Sequence, residues 1–134
     1  MAKPSRIHPP QGPDNAWWWE QVAHGKLPIQ RCSGCGKLRH PPRPMCDACR
    51  SMPWDSIEAS GRGTLHSFTV IHHPNFPGYV YPIVIALVDL QEGERMLSQL
   101  VDCERDAVRI GMPLVARIHE DPDGFKLPVF RPAL

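Results

Sequence analysis

Cys32-Ser33-Gly34-Cys35 and Cys46-Asp47-Ala48-Cys49 decide the reading of this chain. Each is a C-x-x-C unit, and ten residues separate Cys35 from Cys46. Two residues between cysteines let a tight turn aim both sulfurs at one point. Two such turns close a tetrahedral S₄ site with Zn–S distances near ~2.3 Å. Gly36 follows Cys35 and can take positive φ as the chain leaves the metal, whereas Arg50 stands in that place after Cys49. A redox dithiol would carry a single C-x-x-C beside a βαβ unit, and none is visible here. A disulfide reading requires an oxidising compartment, and no export signal is present. The spacing therefore predicts one structural Zn²⁺ on Cys32, Cys35, Cys46 and Cys49. A site closed by four cysteines has no position open to water or substrate, so it fastens the fold rather than acting as a Lewis acid.

Working outward, residues 1–13 contain Pro4, Pro9, Pro10 and Pro13 and read as a flexible lead-in in which nothing could pack. Asp14 or Asn15 suits a helix N-cap, and Gly25 sits where a left-handed C-cap ends a helix of Asn15 to His24. From Gly61 onward the chain reads as all-β. Expected strands are Thr64–Ile71, Ile83–Val88, Met96–Val101, Leu114–His119 and Phe125–Phe130. The run Ile83-Val84-Ile85-Ala86-Leu87-Val88 is apolar enough for a strand buried on both faces, while Phe125, Leu127 and Val129 share one side at period two. Five strands in about 70 residues fit a small barrel, OB-like or SH3-like.

Composition narrows the function. The chain has 134 residues and a formal net charge of +1, which counts against a main task of gripping nucleic-acid backbone. Sixteen prolines disfavour a helical bundle. No apolar run reaches the ~18 residues of a membrane span, so a cytoplasmic protein with reduced thiols is expected. There is neither a Gly-rich phosphate loop nor a G-x-S-x-G elbow. His72 and His73 are adjacent, so on a strand they face opposite ways, and a second metal site with His66 is the weaker reading. Cys103 stands alone and reads as a free structural thiol. Three consecutive tryptophans, Trp17-Trp18-Trp19, sweep about 200° of a helix. One small domain does not easily bury all three, so they are candidates for an interface with another protein.

Taken together, Trp18-Trp19-Glu20, Gly25-Lys26-Leu27, Gln30-Arg31-Cys32, Cys35-Gly36, Pro41-Pro42-Arg43, Cys46 with Cys49, Gly61-Arg62-Gly63-Thr64, Ser67-Phe68-Thr69 and Ile110-Gly111-Met112-Pro113 resemble one family. It is the family of rubredoxin-like zinc-ribbon plus OB-fold proteins, long catalogued as a domain of unknown function, that accompany thiolase-superfamily enzymes. The resemblance runs from about residue 14 to near the C-terminus. It implies a mainly β fold: an N-terminal helix over 14–26, a zinc ribbon over 27–60 and a five-stranded OB-fold barrel over 61–134.

The resemblance further implies a non-catalytic accessory component that docks on a thiolase-like or lipid-transfer-protein-like aldolase handling acyl-CoA, of the steroid side-chain degradation type. A thiolase or synthase partner is the alternative, and a nucleic-acid-binding module, a use that zinc ribbons and OB-folds both serve, is the second alternative. A hot-dog-fold hydratase domain, fused or associated, is a further expected companion. Carbon–carbon chemistry would then lie on the partner. Lys37, Arg39 and Arg43 are the candidate cations for CoA phosphates, since Arg forks match phosphate oxygens.

Overall fold

The structure is a computed structural model that describes residues 5–133. One helix, α1 (Ala16–Ala23), leads into a small sheet of β1 (Pro28–Cys32), β2 (Leu38–Arg39) and β3 (Trp54–Glu58) in the order β2-β1-β3. A closed barrel follows, made of β4 (Arg62–Ile71), β5 (Ile83–Leu90), β6 (Arg95–Leu100), β7 (Pro113–Glu120) and β8 (Lys126–Pro132), in the order β4-β5-β6-β8-β7. Antiparallel pairing of β4 with β7 closes it, and β6 meets β8 in parallel at Leu100 and Phe130. Five strands closed in this order are the OB-fold architecture, and the closing contacts are short, with β4 meeting β7 over Arg62–Thr64 alone. Among the described residues, no helix is long and apolar enough to cross a membrane.

The helix begins one residue later and ends one residue earlier than the sequence suggests. Asn15 sits at the N-cap but makes no cap hydrogen bond. Its side chain turns backward instead, accepting from the Gly12 N–H at 2.8 Å and donating to the Pro10 carbonyl at 3.2 Å. Gly25 takes φ +84 and closes the helix on the Val22 carbonyl as expected.

The lead-in departs from expectation. Residues 1–4 lie outside the described residues, but residues 5–10 pack on the barrel. Arg6 pairs with Asp121 at 2.6 Å and His8 with Asp123 at 2.8 Å. Prolines exclude regular structure there, yet they do not exclude side-chain anchors, and the missing information was the carboxylates waiting more than a hundred residues downstream.

The apolar run in β5 is not buried on both faces either. Val84, Ala86, Val88 and Leu90 point into the barrel, while Ile85, Leu87 and Asp89 alternate outward and are only half-buried. In a five-stranded barrel the interior is filled by one face of each strand, and the other face is covered only where a neighbour lies on it. In β8, Pro128, Val129 and Phe130 are all buried, so the strand is covered on both faces there, and Phe130 adds to the core from the side opposite Val129.

The core is continuous from helix to barrel: Trp18, Val22, Leu27 and Ile29 join Leu65, Ala86, Val88, Leu114 and Phe130 in one cluster. Gly63 permits a close approach of β4 to β5 beside this core. A Cβ there would lie 2.7 Å from the Asp89 carbonyl oxygen and 2.7 Å from Val88 Cγ1. Gly63→Ala is therefore expected to force β4 from β5 and to destabilise the protein by about 1–3 kcal/mol. A lowered urea midpoint at unchanged slope would register the loss; an unaltered midpoint would refute the tight approach.

Candidate metal centre and flanking cleft

The two cysteine turns have the same backbone wiring. In the first, the Cys32 N–H bonds the Lys37 carbonyl at 2.9 Å and the Gly36 N–H bonds the Cys32 carbonyl at 2.9 Å. In the second, Cys46 N–H bonds the Ser51 carbonyl and Arg50 N–H bonds the Cys46 carbonyl, both at 3.0 Å. Gly36 has φ +79, and Arg50 is held at φ 64 in the equivalent place. The left-handed backbone costs a residue with a Cβ roughly 1 kcal/mol, so Arg50 keeps the turn at a small penalty.

These turns bring the four sulfurs within 4.8 Å of one another. Cys32 and Cys49 Sγ lie 3.5 Å apart, and Cys35 and Cys46 Sγ lie 3.7 Å apart. Four sulfurs at ~2.3 Å from one ion would sit about 3.8 Å apart, so the set is already close to the tetrahedral edge. The donor chemistry fits too. Backbone N–H groups of Cys35 and Gly34 favour the Cys32 thiolate, those of Cys49 and Ala48 favour Cys46, and Ser51 favours Cys49. For Cys35, the Lys37 N–H pulls the same way, but burial and the neighbouring thiols outweigh it and push the thiol up to about 11. Three sulfurs biased to ionise beside a fourth that resists are what a dication resolves, since it makes four thiolates compatible. The four cysteines are placed to bind one zinc ion in a zinc ribbon. Cys32 and Cys46 are buried and Cys35 and Cys49 exposed, so the centre lies at the surface on one side.

The remaining sequence candidates separate. Lys37 pairs with Asp47 at 2.8 Å. Arg39 is 1% exposed and faces no phosphate-accessible surface. Its Nε donates to Gln30 Oε1 and to the Arg43 carbonyl, and Gln30 Oε1 also accepts the Arg43 N–H, so Arg39 and Gln30 hold the 40–44 loop against β1. Arg43 itself is exposed, with no ion-pair partner among the described residues. Cys103 is half-buried and stands outside the four-sulfur group, and His66 pairs with Asp89 rather than gathering with His72 and His73.

Each tryptophan finds a different neighbour. Trp18 is 4% exposed, and its Nε1–H donates to the Pro28 carbonyl at 2.9 Å. Half-buried Trp17 packs at a tilt against Trp54 of β3, ring centres 4.6 Å apart, while half-buried Trp19 lies 5.4 Å from Phe125 beside β8. The wide sweep of the triad thus lets one helix touch ribbon, core and barrel, and leaves partial edges of Trp17 and Trp19 on the surface.

Beside this helix opens a cleft of about 890 Å³ that the sequence reading did not foresee. Trp18, Trp19, His40, Tyr81, Ile85 and Leu127 are among its walls. The outward-facing residues of β5 and the aromatic 76–81 loop were the available signals, obscured because the β5 run reads as buried on both sides. Burial, reinforced by the Arg43 charge, pushes the His40 imidazole down to about 4. Between 6.5 and that value the unfolded chain takes up the proton more readily, so His40 subtracts stability as pH falls through this window. Zinc-saturated wild type is expected to lose about 2 kcal/mol more than His40→Gln between pH 6.5 and 4.5. Parallel denaturation at the two pH values checks this, and equal losses would contradict it.

Residues 56–119 match the family model described as the ChsH2 C-terminal OB-fold domain, and residues 19–52 match the ChsH2 rubredoxin-like zinc ribbon domain. The chain is 46% identical over 132 residues to a probable enoyl-CoA hydratase alpha subunit of Thermomonospora curvata, covering 98% of this chain and 41% of that protein. It is 44% identical over 117 residues to the 3-oxo-4,17-pregnadiene-20-carboxyl-CoA hydratase alpha subunit of Mycobacterium tuberculosis, covering 87% of this chain and 37% of that one. The chain thus spans about two fifths of the length of these two relatives. A DUF35 domain-containing scaffold protein of Methanocaldococcus jannaschii is 39% identical over 98 residues, covering 69% and 70% of the two chains. Among solved structures, a chain described as the Ltp2-ChsH2(DUF35) aldolase superposes with a TM-score of 0.91 at 46% identity, over 95% of this chain and 100% of that one.

Proposed function

Because the chain belongs to the family of ChsH2-type proteins that join a rubredoxin-like zinc ribbon to an OB-fold, the DUF35 architecture, we propose that it is a non-catalytic accessory component of a thiolase-superfamily acyl-CoA enzyme. We assign to that enzyme the retro-aldol cleavage of a β-hydroxyacyl-CoA in steroid side-chain degradation. The observation that carries this reading is the likeness, over the whole of its matched chain, to the aldolase structure. The steroid acyl-CoA named for the mycobacterial relative supports the substrate class.

A retro-aldol step needs a base for the β-hydroxyl proton and donors for the enolate of the thioester. Both are assigned to the partner. This chain's residues serve position and shape. Zinc, when bound, supplies the cross-link that fixes both cysteine turns. Arg39 and Gln30 hold the loop that presents Arg43, which leaves Arg43 as the cation best placed to meet a CoA phosphate; Lys37 is occupied by Asp47 and Arg39 is enclosed. The exposed edges of Trp17 and Trp19 are assigned to the partner interface, where aromatic residues concentrate. A hot-dog-fold hydratase domain, fused or associated, is assigned as a further companion, supported by the hydratase alpha-subunit names of the longer relatives. A cytoplasmic site of action suits thiolates that must stay reduced.

A role beside a thiolase or synthase is the second reading, favoured by the scaffold name of the archaeal relative. Co-expression of the tagged chain with a lipid-transfer-protein-like aldolase and, separately, with a thiolase tests both. Stoichiometric co-purification with the aldolase is expected. Retention of the thiolase alone would favour the second reading, and retention of neither would refute the accessory role.

A further inference from the structure

Residues 5–10 lie across the barrel between two hollows. One is the cleft beside α1; the other, about 880 Å³, is bounded by residues that include Arg117, His119, Asp121 and Val129. Arg6, Tyr79, Ile83 and Gln99 belong to both walls, so the segment at Arg6 stands where the two hollows meet. We propose that residues 5–10 are a detachable strap that divides a single trough along the barrel when seated and joins its halves when released.

The seat is built for it. The Arg6 guanidinium pairs with Asp121 and lies 5.7 Å from the Tyr79 ring centre, and the Ile7 N–H donates to Tyr79 Oη at 3.2 Å. His8 pairs with Asp123 and stacks on Phe125 with ring centres 4.2 Å apart. Gly78 provides the clearance: a Cβ there would collide with the Ser5 backbone, and its φ of +92 is itself a glycine conformation.

The same contacts explain release. Ile7 is 74% exposed, so the strap buries little apolar surface and is held by polar anchors. Exposed pairs such as His8–Asp123 contribute little. Breaking a buried pair is costly when a charge is left alone, but Asp121 keeps a second partner. His119 Nε2 lies 3.1 Å from its other oxygen, so one carboxylate oxygen keeps its partner after Arg6 departs, and the emptied seat opens the second to water. Both states of the strap thus leave the barrel core intact. A short ligand fits either hollow with the strap seated, whereas an elongated apolar one lying along both must displace it.

The double variant Arg6→Gln/His8→Ala removes two anchors without touching the barrel, and Gly78→Ala obstructs the seat from the other side. Hydrogen exchange of the Ile7 amide and fluorescence of anilinonaphthalene sulfonate, an apolar probe, read the two consequences. Both variants are expected to exchange Ile7 several-fold faster and to bind several-fold more probe, at a melting temperature close to wild type. Unchanged exchange and probe binding in both variants would overturn the proposal. So would a probe signal that rises only as the melting temperature falls, because the barrel rather than the strap would then have opened.

Discussion

Cys32→Ser, or removal of zinc by a chelator, is expected to unfold the ribbon and to leave the barrel folded. The ribbon cannot hold itself: its sheet has strands of five, two and five residues, and β2 contributes only two register pairs. Between β2 and β3 the chain runs through residues 40–53 without helix or strand. Ordering such loops costs roughly 1–2 kcal/mol per residue, and the few apolar groups there do not offset it. A structural zinc supplies on the order of 10 kcal/mol in small ribbons, which is folding free energy because no preformed site exists in the unfolded chain. The barrel is different, since its strands close on themselves and its core holds Leu65, Val88, Met96, Leu114 and Phe130. Hydrogen exchange should therefore show residues 32–54 losing protection on metal removal while β5 and β6 keep theirs. Uniform protection after complete metal removal would contradict the role of the ion.

Trp18→Ala is expected to cost about 3–5 kcal/mol, the range for deleting a large buried aromatic side chain. It also leaves the Pro28 carbonyl without its indole donor, which is worth a further ~1 kcal/mol or more if water does not enter. The loss falls where α1, β1 and the barrel meet, so helix and ribbon should detach before the barrel melts. Trp17→Ala and Trp19→Ala remove half-buried rings and should cost roughly half as much or less. The three variants therefore separate stability from docking. Trp18→Ala should lower the urea midpoint most, and Trp17→Ala or Trp19→Ala should weaken aldolase retention by more than their smaller midpoint shifts explain. A Trp18→Ala midpoint like that of wild type would contradict the shared core.

The metal ligands were legible because two C-x-x-C units are a local pattern, and each turn that aims a pair of sulfurs is encoded within six residues, Cys32–Lys37 and Cys46–Ser51. The barrel strands were legible for the same reason: β-branched runs bounded by Glu92-Gly93 and by Asp121-Pro122-Asp123-Gly124. The ribbon strands β1 and β3 were not read, although Ile29 and Ile57 end up paired across them. Their signal is short, and Pro28 and Pro53 masked it. The burial of Arg39 was invisible because a basic residue near a ribbon tip reads as solvated until Gln30 is known to face it. The cleft and the strap were hidden for a deeper reason. They depend on contacts such as Arg6 with Asp121, which closure of the barrel creates and no periodicity encodes.

The most direct test of the account is acyl-CoA cleavage measured with the zinc-loaded chain alone, the lipid-transfer-protein-like aldolase alone and the two mixed. The account predicts no turnover of a β-hydroxyacyl-CoA by the chain alone and a mixture that outpaces the aldolase by itself. Turnover by the isolated chain, or an aldolase indifferent to its addition, would contradict it.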